Sequence, residues 1–424
     1  MCIAIHSTEP SKASPRVDFH AWTNDADFVN GSCCGVTVIP GYRCGIVISH
    51  TIGDLAYYDP YRKETTSWAY STWTSPVHFL AFGATRLVMS WNAQTPHGTW
   101  LRTEIQATMQ DGEQTPWLTM GNYSFFDTDI ARTSLSQIAE PYGEVDTDTF
   151  LTYLGFTVRA YRLRVTLCRK PGTSISPRVW QLAALASAIP PREMVLESAP
   201  GPASREGIEL SVPRYSQYVH DGRYTEYDGG GRSWCSSTST EMVTEYWGMH
   251  PREEDLAWVS PEYQDAQVDF AARYSYDYRY QSTGNWAFNA AYASHFGLDA
   301  EIIQLPSMEY LEQLVAGGIP VVTAQAFDGG EITGASYQTA GHLWVVTGFI
   351  EDGDVIVNDP ASPSNSQVRH VFNRRQFENV WLRTFWRRRN GSTGYSPGGV
   401  AYLIKPHEMK PPPNLDPAMP TWRE

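Results

Sequence analysis

Apolar and polar residues alternate one by one through much of the first half of the sequence. In WLRTEIQATM, for example, Leu101 and Ile105 fall on one face and Glu104 on the other. The same alternation in YRLRVTLCR places Cys168 on the outward face. A period of two is typical of strands that are buried on one face only. Between about residues 19 and 187, turn sequences such as TPHGT, MQDGE and RKPGT separate these stretches, so the pattern predicts an antiparallel β-sandwich.

A proline-rich segment ends the alternating region. The stretch AIPPREMVLESAPGPASREGI, from Ala188 to Ile208, consists mainly of prolines and small polar residues, as linkers do. Beyond it, helical spacing appears in CSSTSTEMVTEYW, NWAFNAAYASHFG and SMEYLEQLVAGG. Apolar runs typical of buried strands follow in IPVVTAQAF, HLWVVTGFI, DVIVND and GVAYLIKP. Helices followed by a sheet indicate an α+β domain.

These patterns predict a multi-domain chain, as its length of 424 residues also favours. We expect a β-sandwich accessory domain over residues 1–188 and a linker over 189–208. A second, α+β domain is expected over 209–406, and a proline-rich tail over 407–424.

Composition excludes some classes of function. The net charge of −14 argues against a general nucleic-acid binder, because such proteins present basic surfaces. No apolar run approaches the ~20 residues of a membrane span. The first residues, MCIAIHSTEPSKASPR, lack the basic start and apolar stretch of a secretory signal. The cytoplasm is therefore the default expectation, and the alternative is a secreted protein whose signal is missing from this sequence.

Six cysteines are too few for a disulfide scaffold in a chain of this length. We expect Cys33, Cys34 and Cys44 to be packing thiols or to form one local disulfide. No histidine stands at metal-ligand spacing beside them, so the sequence implies no metal site and no organic cofactor.

One cysteine stands where a helix is predicted to begin. In GGRSWCSSTSTEMVTEYWG, glycines and a serine precede Cys235, and apolar residues at helical spacing follow it. The first N–H groups of a helix are unpaired and lie at the positive end of its dipole, so both favour a thiolate. Cys235 is therefore a candidate nucleophile, although a lone cysteine in a helix is more often a small buried residue.

Two later strands are predicted to bring a histidine and an aspartate together. In GHLWVVTGFIEDGDVIVNDP, His342 stands at the start of the first strand and Asp359 follows the end of the second. In an antiparallel hairpin these two positions lie at the same end. We expect the carboxylate to bond one imidazole nitrogen and fix the tautomer, which completes a nucleophile, a base and an orienting group with Cys235.

Four further residues are candidates for contact with a substrate. The side-chain amide of Gln217 is a second donor beside the backbone N–H of Cys235 for an oxyanion hole, or else an ordinary loop residue. Trp234, Asn285 and Trp286 are predicted to line the substrate cleft. For the latter two, a helix cap and a packing indole are the structural alternatives.

Four motifs resemble one known family. VPRYSQ, WCSSTSTEMVTEYWG, GHLWVVTGF and VNDPAS are similar to papain-like cysteine peptidases related to the bacteriocin-processing, double-glycine peptidases. The resemblance implies a papain-like domain in which Cys235 is the nucleophile, His342 the base, Asp359 the orienting group and Gln217 the oxyanion donor. WTSPVHF, SWNAQTPHGTW and STGNWAFNAAYA resemble a two-domain, chiefly actinobacterial set, so the likeness covers most of the chain. Ser236 stands where the family commonly has glycine.

Three functions are weighed on these grounds. The leading prediction is a cysteine peptidase or amidase that acts through a thioester on a peptide or protein. Acyl transfer to an amine, as in transglutaminase-like and phytochelatin-synthase-like relatives of the fold, is the first alternative. The second is a non-catalytic protein whose sandwich contacts cell-wall carbohydrate. Four tryptophans are candidates for a sugar-stacking platform, but we expect them to fill the sandwich core: Trp68, Trp73, Trp91 and Trp100.

Overall fold

Two antiparallel sheets packed face to face form the first half of the computed structural model, which describes residues 16–41, 43–388 and 390–410. The first sheet contains β1 (Arg16–Trp22), β3 (Val36–Ile39), β4 (Gly45–Ile48), β8 (Arg86–Gln94), β11 (Gln137–Ala139), β12 (Gly143–Asp146), β13 (Thr149–Thr152) and β15 (Arg178–Ala188). The second contains β2 (Ser32–Cys34), β5 (Gly53–Asp59), β6 (Glu64–Thr74), β7 (His78–Ala84), β9 (Thr99–Met109), β10 (Leu118–Tyr123) and β14 (Val158–Arg169). A short helix, α1 (Asp25–Val29), follows β1. The predicted sandwich is confirmed.

The alternation of apolar and polar residues explains most of the sandwich core. Two residues on the outward face, Glu104 and Cys168, are buried against this pattern. Leu101 and Ile105 are fully buried between the sheets, as their spacing predicts. Glu104 is also buried, because the guanidinium of Arg164 on β14 binds both its oxygens at 2.7 Å. Cys168 is buried as well, because a second aromatic cluster covers the outer face of its sheet.

All four sandwich tryptophans considered above are buried, in two separate places. Trp73 and Trp91 lie in the core between the sheets. Trp68 and Trp100 form the outer cluster with Tyr57. None of the four indoles therefore offers an exposed face on which a sugar ring could stack.

The segment after the sandwich is held against the second half of the chain. It contains a short helix, α2 (Pro202–Glu206). The backbone N–H of Ser198 donates to Glu378 at 2.8 Å, and Arg374 donates to the Ser198 carbonyl at 2.9 Å. Residues 189–208 are thus an anchored connection, although their composition is that of a linker. The predicted tail over 407–424 lies outside the described residues from position 411 onward.

The second half is built on one antiparallel sheet with helices around it. The sheet contains β16 (Ile208–Glu209), β17 (Leu298–Gln304), β18 (Val321–Phe327), β19 (Thr339–Phe349), β20 (Val355–Asn358), β21 (Arg369–Phe372) and β24 (Val400–Pro406). A separate ribbon is formed by β22 (Phe385–Arg387) and β23 (Thr393–Tyr395). The helices are α3 (Cys235–Tyr246), α4 (Ala266–Ser275), α5 (Trp286–His295), α6 (Met308–Ala316) and α7 (Arg374–Leu382). This is the predicted α+β architecture, to which the structure adds helices α4 and α7 and strands β16, β17, β21, β22 and β23.

Helix α5 joins the two halves into one apolar core. Its Phe288 packs in the sandwich core, with ring centroids 6.1 Å from Trp91 and 5.7 Å from Tyr123. On the adjoining strands, Asn92 exchanges two hydrogen bonds with the backbone of Ala300, at 2.8 and 3.0 Å. The sandwich is therefore a fixed part of the molecule and not a loosely attached module.

The described cysteines are free thiols, so no disulfide links Cys33, Cys34 and Cys44. Cys33 and Cys34 are exposed and Cys44 is buried. Of the helices in the described part of the chain, none combines the length and the apolar character that a membrane span needs. Nor do the described residues bring three or more His, Cys, Asp or Glu side chains into a group suited to a metal ion.

Candidate active site

Cys235 is the first residue of α3, as its sequence context predicts. A tight turn of 3-10 helix, Gly231–Ser233, leads into it and leaves the thiol partly exposed at the helix N-terminus. Gly231 is required there, because a Cβ atom would lie 2.1 Å from the carbonyl oxygen of Gln217. This close approach brings the Gln217 turn against the segment that precedes the cysteine.

Small hydroxyl residues allow α3 to run through the protein interior. Its residues 236–244 are buried, and all of their hydroxyls except that of Thr238 form hydrogen bonds within the fold. Ser239, one turn after the cysteine, donates to the carbonyl of Leu343 on β19 at 3.1 Å. The hydroxyl of Ser236 shares a hydrogen bond of 2.9 Å with the hydroxyl of Tyr402 on β24. Helix α3 is thereby fixed in register on the strand that carries His342.

His342 and Asp359 meet at the same end of the sheet, as the hairpin argument predicts. The β19 and β20 strands pair antiparallel, with Val345 opposite Asn358. The Nε2 atom of His342 lies 2.8 Å from Oδ1 of Asp359, and both side chains are buried. On the other side, the amide of Gln325 donates to the carbonyl of His342 at 2.9 Å. Because Nε2 is occupied, Nδ1 is the nitrogen left for the cysteine.

The side chains of Cys235, His342 and Asp359 influence one another electrostatically. Burial disfavours a charged imidazole, but the negative charges of Asp359 and Cys235 and a hydrogen bond with each outweigh burial and raise the pKa of His342 to about 10. Burial also opposes ionisation of Asp359, yet the His342 charge and several hydrogen bonds hold its pKa below the usual value. The arrangement therefore favours a positively charged imidazole beside an ionised Asp359.

Gln217 lines the same cleft as Cys235 and His342. Its backbone N–H donates to the carbonyl of Pro360 at 2.9 Å, which ties it to the residue after Asp359. Its side-chain nitrogen donates to the carbonyl of Arg232 and keeps one further N–H. The side-chain oxygen is buried and has no hydrogen-bond partner among the described residues.

A buried histidine supports the Gln217 turn. His220 closes this turn, is fully buried, and bonds Asp269 of α4 through Nδ1 at 3.0 Å. The turn is therefore anchored to a neighbouring helix.

Of the three predicted cleft residues, only Trp286 lines the cleft. The indole of Trp234 is fully buried and donates to the carbonyl of Tyr227 at 2.6 Å, so it is not available to a substrate and this prediction is wrong. Asn285 is buried too, and it caps α5 by accepting from the N–H of Phe288 at 3.1 Å. The capping alternative is therefore the one that the structure supports.

The cleft holds about 680 Å³ and is lined by both halves of the chain. Cys235, His342 and Gln217 form part of one side. The sandwich contributes Arg86 and residues 146–149, which no pattern in the sequence places near the cysteine. Spacing also gave no indication of Tyr337, whose hydroxyl bonds Asp359.

Two family models match the chain. Residues 18–187 match the peptidase C39 N-terminal domain, and residues 209–385 match the peptidase C39-like family. No match was found among curated proteins.

Similarity to solved structures is more distant. A protein described as a C39-like peptidase from Bacillus anthracis is 19% identical, over 46% of this chain and 98% of its own, with a TM-score of 0.26. A carbohydrate-binding module of the β-sandwich superfamily is 7% identical, over 41% of this chain and 57% of its own, with a TM-score of 0.19. The catalytic domain of a GH87 α-1,3-glucanase in complex with nigerose is 13% identical, over 48% of this chain and 33% of its own, with a TM-score of 0.18.

Proposed function

Since this chain belongs to the peptidase C39-like family and is of the papain-like cysteine peptidase kind, we propose that it hydrolyses a peptide or amide bond through a thioester on Cys235. The substrate is a peptide or protein segment that lies in the cleft between the two halves. The observation that carries the proposal is the buried His342–Asp359 pair, 2.8 Å apart, in the same cleft as a thiol at a helix N-terminus.

Acylation is the first half of the proposed reaction. The thiolate of Cys235 attacks the carbonyl carbon, and the carbonyl oxygen becomes an oxyanion. The backbone N–H of Cys235 and the free side-chain N–H of Gln217 stabilise that charge. His342 then gives its proton to the departing amine, the C–N bond breaks, and a thioester remains.

Deacylation restores the enzyme. The neutral imidazole of His342 takes a proton from water, and the resulting hydroxide equivalent attacks the thioester carbon. The C–S bond breaks and releases a carboxylic acid and the thiolate. Asp359 keeps the ring oriented in both halves and stabilises its charged form.

Contact of the sandwich, residues 1–188, with cell-wall carbohydrate stays a separate prediction. It is tested by measuring whether the full chain binds to polysaccharides.

Thiol labelling tests the proposed nucleophile. The wild type, Cys235→Ala and a Cys33→Ala/Cys34→Ala variant are treated with an epoxide and digested for mass spectrometry. We expect the Cys235 adduct and the cleavage of a peptide library to disappear only in Cys235→Ala. The control variant removes the two exposed thiols of β2 and should keep both. Cleavage by Cys235→Ala at the wild-type rate contradicts the proposal.

Acyl transfer uses the same thioester and differs only in what attacks it. Product analysis with and without an added primary amine separates the two reactions. An amide product formed in preference to the acid would replace hydrolysis by transfer.

A further inference from the structure

Tyr337, in the segment just before β19, holds the carboxylate that orients the imidazole. Resting on the proposed function, we propose that Tyr337 is a positioning residue for the reaction and that its hydroxyl acts on His342 through Asp359. Its hydroxyl donates to Oδ2 of Asp359 at 2.8 Å. The family motifs do not include this residue, and its spacing from His342 gives no helical or strand pattern that predicts a role.

Each oxygen of the carboxylate has its own partner. His342 and the backbone N–H of Ala361 are bound to Oδ1, at 2.8 and 2.9 Å. Tyr337 alone among the described residues bonds Oδ2 through a side chain. A carboxylate bonded through one oxygen can rotate about its last side-chain bond, whereas bonds to both oxygens fix its plane. Tyr337 therefore sets the direction in which Oδ1 faces the imidazole.

The surroundings of Tyr337 fix its own ring. Its centroid lies 5.3 Å from that of Phe327 on β18 and 5.3 Å from that of His342, the latter pair edge to face. Asp359 is only 1% exposed, so water does not replace a missing partner on this oxygen. A buried acceptor that loses its donor costs more than the hydrogen bond itself contributes.

The hydroxyl stays protonated, so it donates and does not exchange protons with substrate. Burial and the charge of Asp359 raise the pKa of Tyr337 well above its usual value. The ring partly covers the His342–Asp359 pair on the cleft side. A role as a general acid is therefore less consistent with the geometry than a role in orientation.

The test is Tyr337→Phe, which keeps the ring and its packing and removes only the hydroxyl. We expect kcat to fall about tenfold, with KM changed less than twofold, because the lost bond serves the charged carboxylate and not the substrate. The thermal midpoint should stay within a few degrees of the wild type. Tyr58→Phe on β5, whose tyrosine is largely exposed on the sandwich, is the matched control and should keep full activity.

A double-mutant cycle separates orientation from general loosening of the site. In the Asp359→Asn background, Tyr337→Phe should lower kcat by less than twofold, because its target carboxylate is already gone. A tenfold loss in that background, or wild-type kcat for Tyr337→Phe alone, would overturn the inference. Cys235→Ala is measured in parallel. If it stays active, the proposed function fails; if it is inactive while Tyr337→Phe is fully active, only the role of Tyr337 fails.

Discussion

His342 is buried against Asp359, whose negative charge opposes the effect of burial and favours the charged imidazole. Its pKa of about 10 lies above the ordinary value of 6.5. A group whose pKa is raised on folding contributes stability that is fully present below its unfolded pKa and is lost as pH rises through the folded one. The contribution of this residue is therefore complete below pH 6.5 and disappears around pH 10.

Asp359→Asn tests this balance of charges. The substitution removes the negative charge that contributes most to raising the pKa of His342. Burial should then dominate and lower that pKa. We expect the alkaline limb of the pH profile of kcat/KM to move down by at least about one unit, and kcat to fall about 100-fold or more. Asp54→Asn, at an exposed position of β5 in the sandwich, is the control. An alkaline limb that does not move would contradict this account.

Residues whose positions follow from strand pairing or from a helix start could be predicted. Cys235, His342 and Asp359 lie where the helix start and the hairpin place them. The direction of a side chain next to such a residue does not follow from the same pattern. Trp234 precedes the cysteine, yet its indole turns into the protein and not toward the cleft. Tyr337 belongs to an irregular segment, for which no periodicity exists to be recognised.

At the scale of elements, the turn between β12 and β13 caps a helix of the other half of the chain. Asp148 in this turn accepts the N–H of Trp286, the first residue of α5, at 2.7 Å. Burial raises the pKa of Asp148 to about 6, although this bond and one from Thr149 oppose the shift. Carboxylates favour helix N-termini, but this one lies in the interior and is costly to charge.

Asp148→Asn should therefore change how stability depends on pH. Because the folded pKa of Asp148 is raised from 3.8 to about 6, its contribution is present below pH 3.8 and lost as pH rises through about 6. Relative to the variant, the free energy of unfolding of the wild type should fall by up to about 3 kcal/mol between pH 4 and 7. Urea unfolding at both pH values measures this. A difference between the two proteins that is independent of pH would contradict it.

The elements that the sequence did not predict have unusual apolar faces. Helix α4 packs through Phe270 and Tyr274 and lies in a tyrosine-rich stretch with few aliphatic residues. Helix α7 carries the buried Arg374, whose charge is paired with Glu312. Helix α6, which was predicted, has aliphatic residues at regular helical spacing. Helix α3 was predicted from the glycines before it and from the apolar residues near its end, although serine and threonine form most of its buried surface. Start signals and apolar periodicity are therefore what sequence reasoning could use here.

For the whole molecule, the shared core makes the two halves one cooperative unit. Phe288 contributes to the sandwich core from a helix of the peptidase half. Phe288→Ala should lower the free energy of unfolding by about 3–5 kcal/mol. Phe79→Ala, whose ring is 77% exposed on the sandwich, should change it by less than about 0.5 kcal/mol. Urea unfolding followed by tryptophan fluorescence and by thiol labelling should give coincident transitions, and two separate ones would contradict a shared core.

The division into two halves could be predicted because the period of the hydrophobic pattern changes between them. Their association could not, since contacts such as Asn92 with Ala300 join residues more than 200 positions apart. Long-range pairs of this kind leave no local pattern in a single sequence. The position of Arg86 in the cleft likewise could not be predicted, because it depends on how the two halves pack together.

The turn at residues 146–149 reaches the cleft from a different half than the reacting atoms. Both stretches of the gene therefore supply residues around the site, Arg86 from the first half and Trp286 from the second. Mutational drift in the N-terminal stretch can change which molecules fit beside the sulfur, while the sulfur, ring and carboxylate are inherited intact. Relatives that share the cysteine, the histidine and the aspartate can in this way differ in which molecules the cleft admits.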